Sequence, residues 1–245
     1  HNAAKTTSGA VSFMDLYSMT TGLIGQKGRR GALMISMDIS HPDIEEFIDV
    51  KTDLNNVTKA NISVRISDEF MHAVKNKEKY TCRFFLESTK EEIIKEVDAH
   101  KLFMKLVENN WNYAEPGILF WDNIKKYHLL SEDKDFKHDG VNPCAEEPLP
   151  AGGSCLLGSI NLSEFVVEPF TKEAIFDMEK FNACVQDCIL GLNEVLDEGL
   201  SLHPLKQQQE SVSKYRQIGL GVMGIADMLI KLNMRYGSSE SIELC

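Results

Sequence analysis

No apolar run in this sequence approaches the roughly 20 residues that a helix needs to cross a bilayer, so no membrane span is expected. A basic excess is missing too. The 245 residues carry 26 Lys and Arg against 37 Asp and Glu, a net charge of −11, so direct nucleic-acid binding is not expected. The opening "HNAAKTTSGA" lacks the charged-then-apolar pattern of a secretion signal. Cysteine is sparse: six residues at uneven spacings do not resemble a secreted disulfide scaffold, and a reducing cytoplasm is the expected setting. The histidines include no H-x-x-x-H pair, and no metal site is expected. Internal repeats are absent as well.

What is there is enough apolar material, 43% of the residues, to bury a substantial core. Helical spacing predicts a helix over 11–25, a second beginning near Pro42, and another in "DEFMHAVKNK". Strands are predicted over 31–39, 61–67, 80–88 and 116–123. "EEIIKEVDAHKLFMKLVENNWNYA" reads as one or two helices, 130–141 as a charged surface loop, and 172–199 as a long amphipathic helix. A last helix is predicted through "MGIADMLIKLNM". Strands and helices alternate without a separating linker, which predicts an α/β fold with largely parallel strands in one domain or a large part of one.

"GLGVMG" (219–224) fits G-x-G-x-x-G, but the preceding "SVSKYRQI" is too polar for the buried strand a dinucleotide site needs. Close backbone packing at a helix start explains it better. Cys184 and Cys188, four apart on the long helix and in line with Leu192 and Val195, are expected to be packing residues, as is Cys82 beside Phe84. "GQKGRRGA" (25–32) is a glycine-punctuated basic loop that is either a solvated turn or a mobile loop presenting Lys27, Arg29 or Arg30 to phosphates.

"VNPCAEEPLPAGGSCLLGSINLS" (141–163) places Cys144 and Cys155 in a stretch whose prolines and glycines preclude a regular helix. Glu146 beside Cys144 supports a redox-active or nucleophilic cysteine with a proton acceptor at hand. A neighbouring carboxylate works against thiolate formation, whereas a thiol that stays protonated and gives up a hydrogen atom meets no such objection.

"NPCAEEPLP" followed by "GSCLLGSINL" resembles the active-site segment of the ribonucleotide reductase large (catalytic) chain, as do "GQKGRRGALMISMDISHPDIEEFI" and "RQIGLGVMGIADML" for other stretches of that family. The resemblance covers nearly the whole chain. It implies part of a ten-stranded α/β barrel with a central finger loop, and an enzyme that reduces ribonucleotides to deoxyribonucleotides by thiyl-radical chemistry. By the resemblance, Cys144 becomes the thiyl radical that takes the 3′ hydrogen, Glu146 takes the 3′-hydroxyl proton, and Asn142 hydrogen-bonds the substrate. Cys155 matches one of two cysteines that reduce the substrate and end as a disulfide, reset by a thioredoxin-like partner. Gln26, Lys27, Gly28, Arg29, Arg30 and Gly31 match the loop that links a deoxynucleotide effector to substrate choice.

The eleven-residue step from Cys144 to Cys155 is most like the adenosylcobalamin-dependent branch. The alternative is the branch fed by a separate metal-containing radical subunit. The partner cysteine for Cys155, the phosphate-binding segment and the cysteine-bearing tail are not matched in the sequence, so it reads as an internal fragment, inactive by itself, of a longer and homo-oligomeric chain. Two other readings stand beside this one: a nucleotide-sensing or interaction module on the same framework, and a thiol redox protein that pairs Cys144 with Cys155.

Overall fold

The computed structural model describes residues 8–24 and 31–245, in two compact units divided between Leu149 and Pro150. In the first unit the chain runs α1 (Ser12–Leu23), β1 (Met34–Asp38), α2 (Ile44–Asp49), β2 (Asn61–Ile66), α3 (Asp68–Asn76), β3 (Lys79–Leu86), β4 (Glu91–Asp98), α4 (Ala99–Tyr113), β5 (Gly117–Phe120), α5 (Trp121–Tyr127), β6 (Gly140–Val141) and β7 (Pro148–Leu149). The second unit holds β8 (Leu156–Asn161), β9 (Val166–Val167), β10 (Ile175–Phe176), α6 (Met178–Leu200), α7 (Lys206–Tyr215), β11 (Ile218–Met223), α8 (Ile225–Lys231) and α9 (Ser239–Leu244). No described helix is long and apolar enough to cross a membrane.

The first unit is built on a parallel sheet in the order β1-β2-β5, with Met34 opposite Asn61 and Ser63 opposite Gly117. Parallel neighbours require crossovers, which α2 and the α3–α4 region supply. Along β2 the alternation sends Ile62, Val64 and Ile66 into the core and leaves Asn61, Ser63 and Arg65 on the other face. The core side is closed by Ile44, Phe47 and Ile48 of α2, Phe70 of α3, and Leu102 and Leu106 of α4. Ser67 caps α3 by accepting from Phe70 N at 3.1 Å, and Asp98 caps α4 by accepting from Lys101 N at 2.9 Å.

Residues 91–98, expected to be helical, are instead the second arm of an antiparallel hairpin with β3. Ile93 and Val97 are four apart, which reads as helical spacing, but β-branched residues favour the pleat. Cross-strand pairing sets Phe84 against Ile93 and Tyr80 against Val97. Parallel pairing therefore holds for β1-β2-β5 and β8-β11, while β3-β4, β6-β7 and β9-β10 are antiparallel. The described strands form no closed barrel.

In the second unit β8 and β11 pair in parallel, with Leu156 opposite Ile218 and Asn161 opposite Met223. "GLGVMG" is thus mostly strand, and only Gly224, with φ of +74°, lies at the start of a helix. A Cβ there would fall 2.3 Å from Asn161 Oδ1, so the position requires glycine. A small core of Leu162, Met228, Leu229 and Leu232 is flanked by the rings of Phe165, Phe176 and Phe181. Cys184 and Cys188 are half-buried rather than core, with their sulfurs 3.9 Å apart, because α6 buries only Leu196 fully. Cys82 is fully buried as expected.

Candidate functional site

The segment around Cys144 folds as a hairpin of the first unit. β6 and β7 pair antiparallel, Gly140 opposite Leu149 and Val141 opposite Pro148, and residues 142–147 form the connection. Asn142 closes it three times. Its carbonyl accepts from Ala145 N at 2.9 Å, its N–H donates to Glu147 O at 3.2 Å, and its Oδ1 accepts from Glu147 N at 3.0 Å. Ala145 takes φ of +70°, a left-handed conformation that costs a residue with a Cβ about 1–2 kcal/mol. The result is an exposed thiol, Cys144, with the exposed carboxylate of Glu146 two residues away and the amide of Asn142 two residues before it.

Two side chains of β2 hold this hairpin. Asn61 Nδ2 donates to Pro143 O at 2.8 Å, and Arg65 Nη1 donates to Asp139 O at 3.2 Å. The Arg65 guanidinium lies 5.1 Å from the centre of the Trp121 ring, within cation–π range. Trp121 meets His138 edge-on at 6.0 Å, and His138 meets His128 at 4.5 Å and Phe136 at 4.8 Å. His128 and Phe136 stack at 4.7 Å. The loop expected to be a charged surface segment thus tucks two rings under the hairpin base.

Burial lowers the pKa of both His128 and His138 below the ordinary 6.5, and for His138 the neighbouring His128 and Lys125 act in the same direction. Glu147 acts the opposite way on His128, but less strongly than burial. A folded-state value below the unfolded one means that the unfolded chain takes up protons first as the pH drops. Stability is then full above about 6.5 and is lost as pH falls through that value. The urea midpoint is expected to decline between about pH 7 and pH 5, and His138→Phe should flatten that decline.

Cys155 belongs to the second unit, half-buried just ahead of β8, with its thiol 3.6 Å from Leu156 O. The glycines before it serve close approach: a Cβ on Gly152, whose φ is +70°, would sit 2.9 Å from Gln207 O, and one on Gly153 2.9 Å from Pro150 O. The structure therefore gathers Asn142, Cys144 and Glu146 into one loop, while Cys155 is held by a separate unit. Gln26, Lys27, Gly28, Arg29 and Arg30 lie outside the described residues. Gly31 is tightly placed, since a Cβ there would come within 2.8 Å of Thr21 O. Among the described residues no three His, Cys, Asp or Glu side chains are grouped to hold a metal.

The sequence reading missed Asn61 and Arg65. Their signal was present in "NISVRIS", where polar residues at 61, 63 and 65 alternate with apolar ones, but alternation marks a face without saying what lies on it.

The family model described as "Ribonucleotide reductase, barrel domain" matches residues 1–245. The chain is similar to the vitamin B12-dependent ribonucleoside-diphosphate reductase of Thermoplasma acidophilum, 36% identical over 239 residues that cover 97% of this chain and 30% of that protein. It is 32% identical over 241 residues to the protein of the same description from Mycobacterium tuberculosis, covering 98% and 33% of the two chains. Against the vitamin B12-dependent ribonucleotide reductase of Streptomyces coelicolor the identity is 32% over 256 residues, 94% of this chain and 26% of that one. The chain spans about a third or less of the length of these curated relatives.

Proposed function

This chain belongs to the ribonucleotide reductase barrel-domain family, and from that premise we propose that it carries the reacting thiol of an enzyme that reduces ribonucleotides to deoxyribonucleotides by thiyl-radical chemistry. The observation that carries the reading is the hairpin loop presenting an exposed Cys144 between Asn142 and Glu146. As a thiyl radical, Cys144 takes the 3′ hydrogen of the ribose. Glu146, exposed and two residues away, receives the 3′-hydroxyl proton. Asn142 Oδ1 is engaged by Glu147 N, which leaves its Nδ2 as the atom that donates to the substrate.

With a carbon radical beside an oxygen that has lost its proton, the 2′-hydroxyl takes a proton from one of two reducing thiols and leaves as water. The two thiols, of which Cys155 is one, supply two electrons and the hydrogen for C2′ and become a disulfide, while Cys144 returns its hydrogen atom to C3′ and Glu146 returns the 3′-hydroxyl proton. A thioredoxin-like reductant restores the pair. The substrate is a ribonucleotide, and loop residues Gln26, Lys27, Gly28, Arg29, Arg30 and Gly31 relate a bound deoxynucleotide effector to substrate choice. The parallel sets β1-β2-β5 and β8-β11 are consistent with segments of a ten-stranded α/β barrel, with the β6–β7 hairpin as its finger loop. The whole enzyme works in the cytoplasm as a homo-oligomer.

The relatives named vitamin B12-dependent support adenosylcobalamin as the cofactor. When bound, it supplies the one-electron oxidation that a protonated thiol needs. Cys144 fits that chemistry, because its thiol stands exposed on the hairpin rather than packed in a core, and it is the group that would face the cofactor. The test is deoxynucleotide formation by the full-length protein from a ribonucleotide and a dithiol, with and without adenosylcobalamin. Product is expected only with the cofactor. Activity that instead requires a metal-containing partner subunit would keep the reaction and replace its radical source. No product under either condition would overturn the reading.

A further inference from the structure

The β6–β7 hairpin cannot locate Cys144 unaided. Its ladder is two residues long on each arm, and an isolated two-stranded ribbon is marginal even when longer. Asn142 gives the loop its internal shape, but every one of those bonds stays within residues 142–147. Something outside the hairpin must determine where the thiol stands.

Two contacts from β2 do this at different points. Asn61 Nδ2 holds Pro143 O, the carbonyl of the peptide that leads directly into Cys144, and so orients the backbone from which the thiol projects. Arg65 Nη1 holds Asp139 O, where the first arm begins. The two residues are four apart on one face of a strand, about 13 Å from end to end, so they grip the hairpin near its base and near its tip. The Arg65 fork is itself oriented by the Trp121 ring, and Trp121 also packs against His138, the residue before Asp139. A planar guanidinium on an aromatic face can donate in only a few directions, whereas an ammonium in its place would not be so fixed.

The supporting strand is well suited to the task. β2 is the middle strand of β1-β2-β5, paired on both sides, and Ile62, Val64 and Ile66 on its opposite face are buried. Groups that must be held to within about half an ångström are best carried on such rigid elements.

We propose that Asn61 and Arg65 are positioning residues for Cys144, acting on the thiol through the hairpin backbone. The proposal rests on the reading of Cys144 as the reacting thiol. Its test joins turnover to a measurement that does not depend on turnover. In the full-length protein, Asn61→Leu is expected to lower kcat about 100-fold, the usual effect of displacing a reacting group by about 1 Å, with KM for the ribonucleotide held within about twofold. Without substrate or cofactor, the rate at which iodoacetamide alkylates Cys144 should differ at least about threefold from the parent's in Asn61→Leu and Arg65→Ala, because the thiol is exposed throughout and its reactivity reports the loop conformation that the two anchors fix. Arg65→Lys keeps a donor and the charge but loses the planar stack, and should fall between Arg65→Ala and the parent protein in both measurements.

Turnover and Cys144 alkylation both unchanged in Asn61→Leu and Arg65→Ala would overturn the proposal. Should Asn61→Leu fail to fold, Asn61→Ser, too short to reach Pro143 O, carries the same comparison. Full activity of Cys144→Ser would remove the reading of Cys144 instead, and the alkylation rates would still decide whether Asn61 and Arg65 set the position of the thiol.

Discussion

Cys144→Ser is expected to lower ribonucleotide reduction by the full-length protein by at least about 10⁴-fold, the scale seen when a group essential to the chemistry is removed. Nucleotide affinity should stay within about twofold. The substitution is close to isosteric, and the bonds that close the loop run between Asn142, Ala145 and Glu147 without using the thiol. Serine therefore leaves the hairpin intact and changes the chemistry alone, because an alcohol O–H yields its hydrogen atom far less readily than a thiol S–H. Product formation measured beside equilibrium binding of the nucleotide separates the two effects. Turnover retained in the variant would take Cys144 out of the mechanism.

The second large effect concerns stability. Phe70→Ala is expected to cost about 3–5 kcal/mol, the range for deleting a buried aromatic ring with partial collapse around the cavity. Phe70 is fully buried on α3, and its ring meets Tyr80 of β3 edge-on at 5.1 Å, so the deletion removes a contact between helix and hairpin as well as apolar area. At about 2–4 °C per kcal/mol for a chain of this size, the thermal midpoint should fall by roughly 10 °C. Phe84→Ala makes the comparison: Phe84 is 42% exposed on β3, and the same deletion there should cost about 1 kcal/mol or less. Equal losses at the two positions would mean that the apolar packing around Phe70 does not dominate the stability of the first unit.

The residues explain what could be read in advance. β2 and α3 were legible because their apolar periods, two and then 3.6, change at Ser67, a capping residue. Cys144 and Glu146 were legible together because Pro143 and Pro148 forbid a helix, and a short segment between extended arms brings neighbours in sequence together in space, whereas Asn142 joined them only through the family resemblance. β4 was misread because Ile93 and Val97 satisfy a helical spacing, and what decides for a strand is the partner, β3, with which they pair. The half-burial of Cys184 and Cys188 escaped for a related reason. Periodicity marks an apolar stripe on α6 but does not say how much of the stripe is covered. Asn61 and Arg65 were the hardest to find, since their partners are backbone carbonyls 82 and 74 positions away, and a carbonyl leaves no trace in the amino-acid code.

The order of strands along the chain also sets the order in which the molecule can be made. β3 and β4 are joined by a tight turn and can pair as soon as both have left the ribosome, whereas β8 must wait through residues 162–217 for β11. Until then β8 lacks both the β11 backbone it pairs with and the cover that buries Ile160 in the finished unit, so the second unit completes its packing later than the β3–β4 hairpin. The hairpin has the opposite history. β1, β2 and β5 are all synthesised before residue 140, so Cys144 emerges onto a sheet whose three strands can already have paired, and its anchoring carboxamide and guanidinium are in place before the thiol arrives.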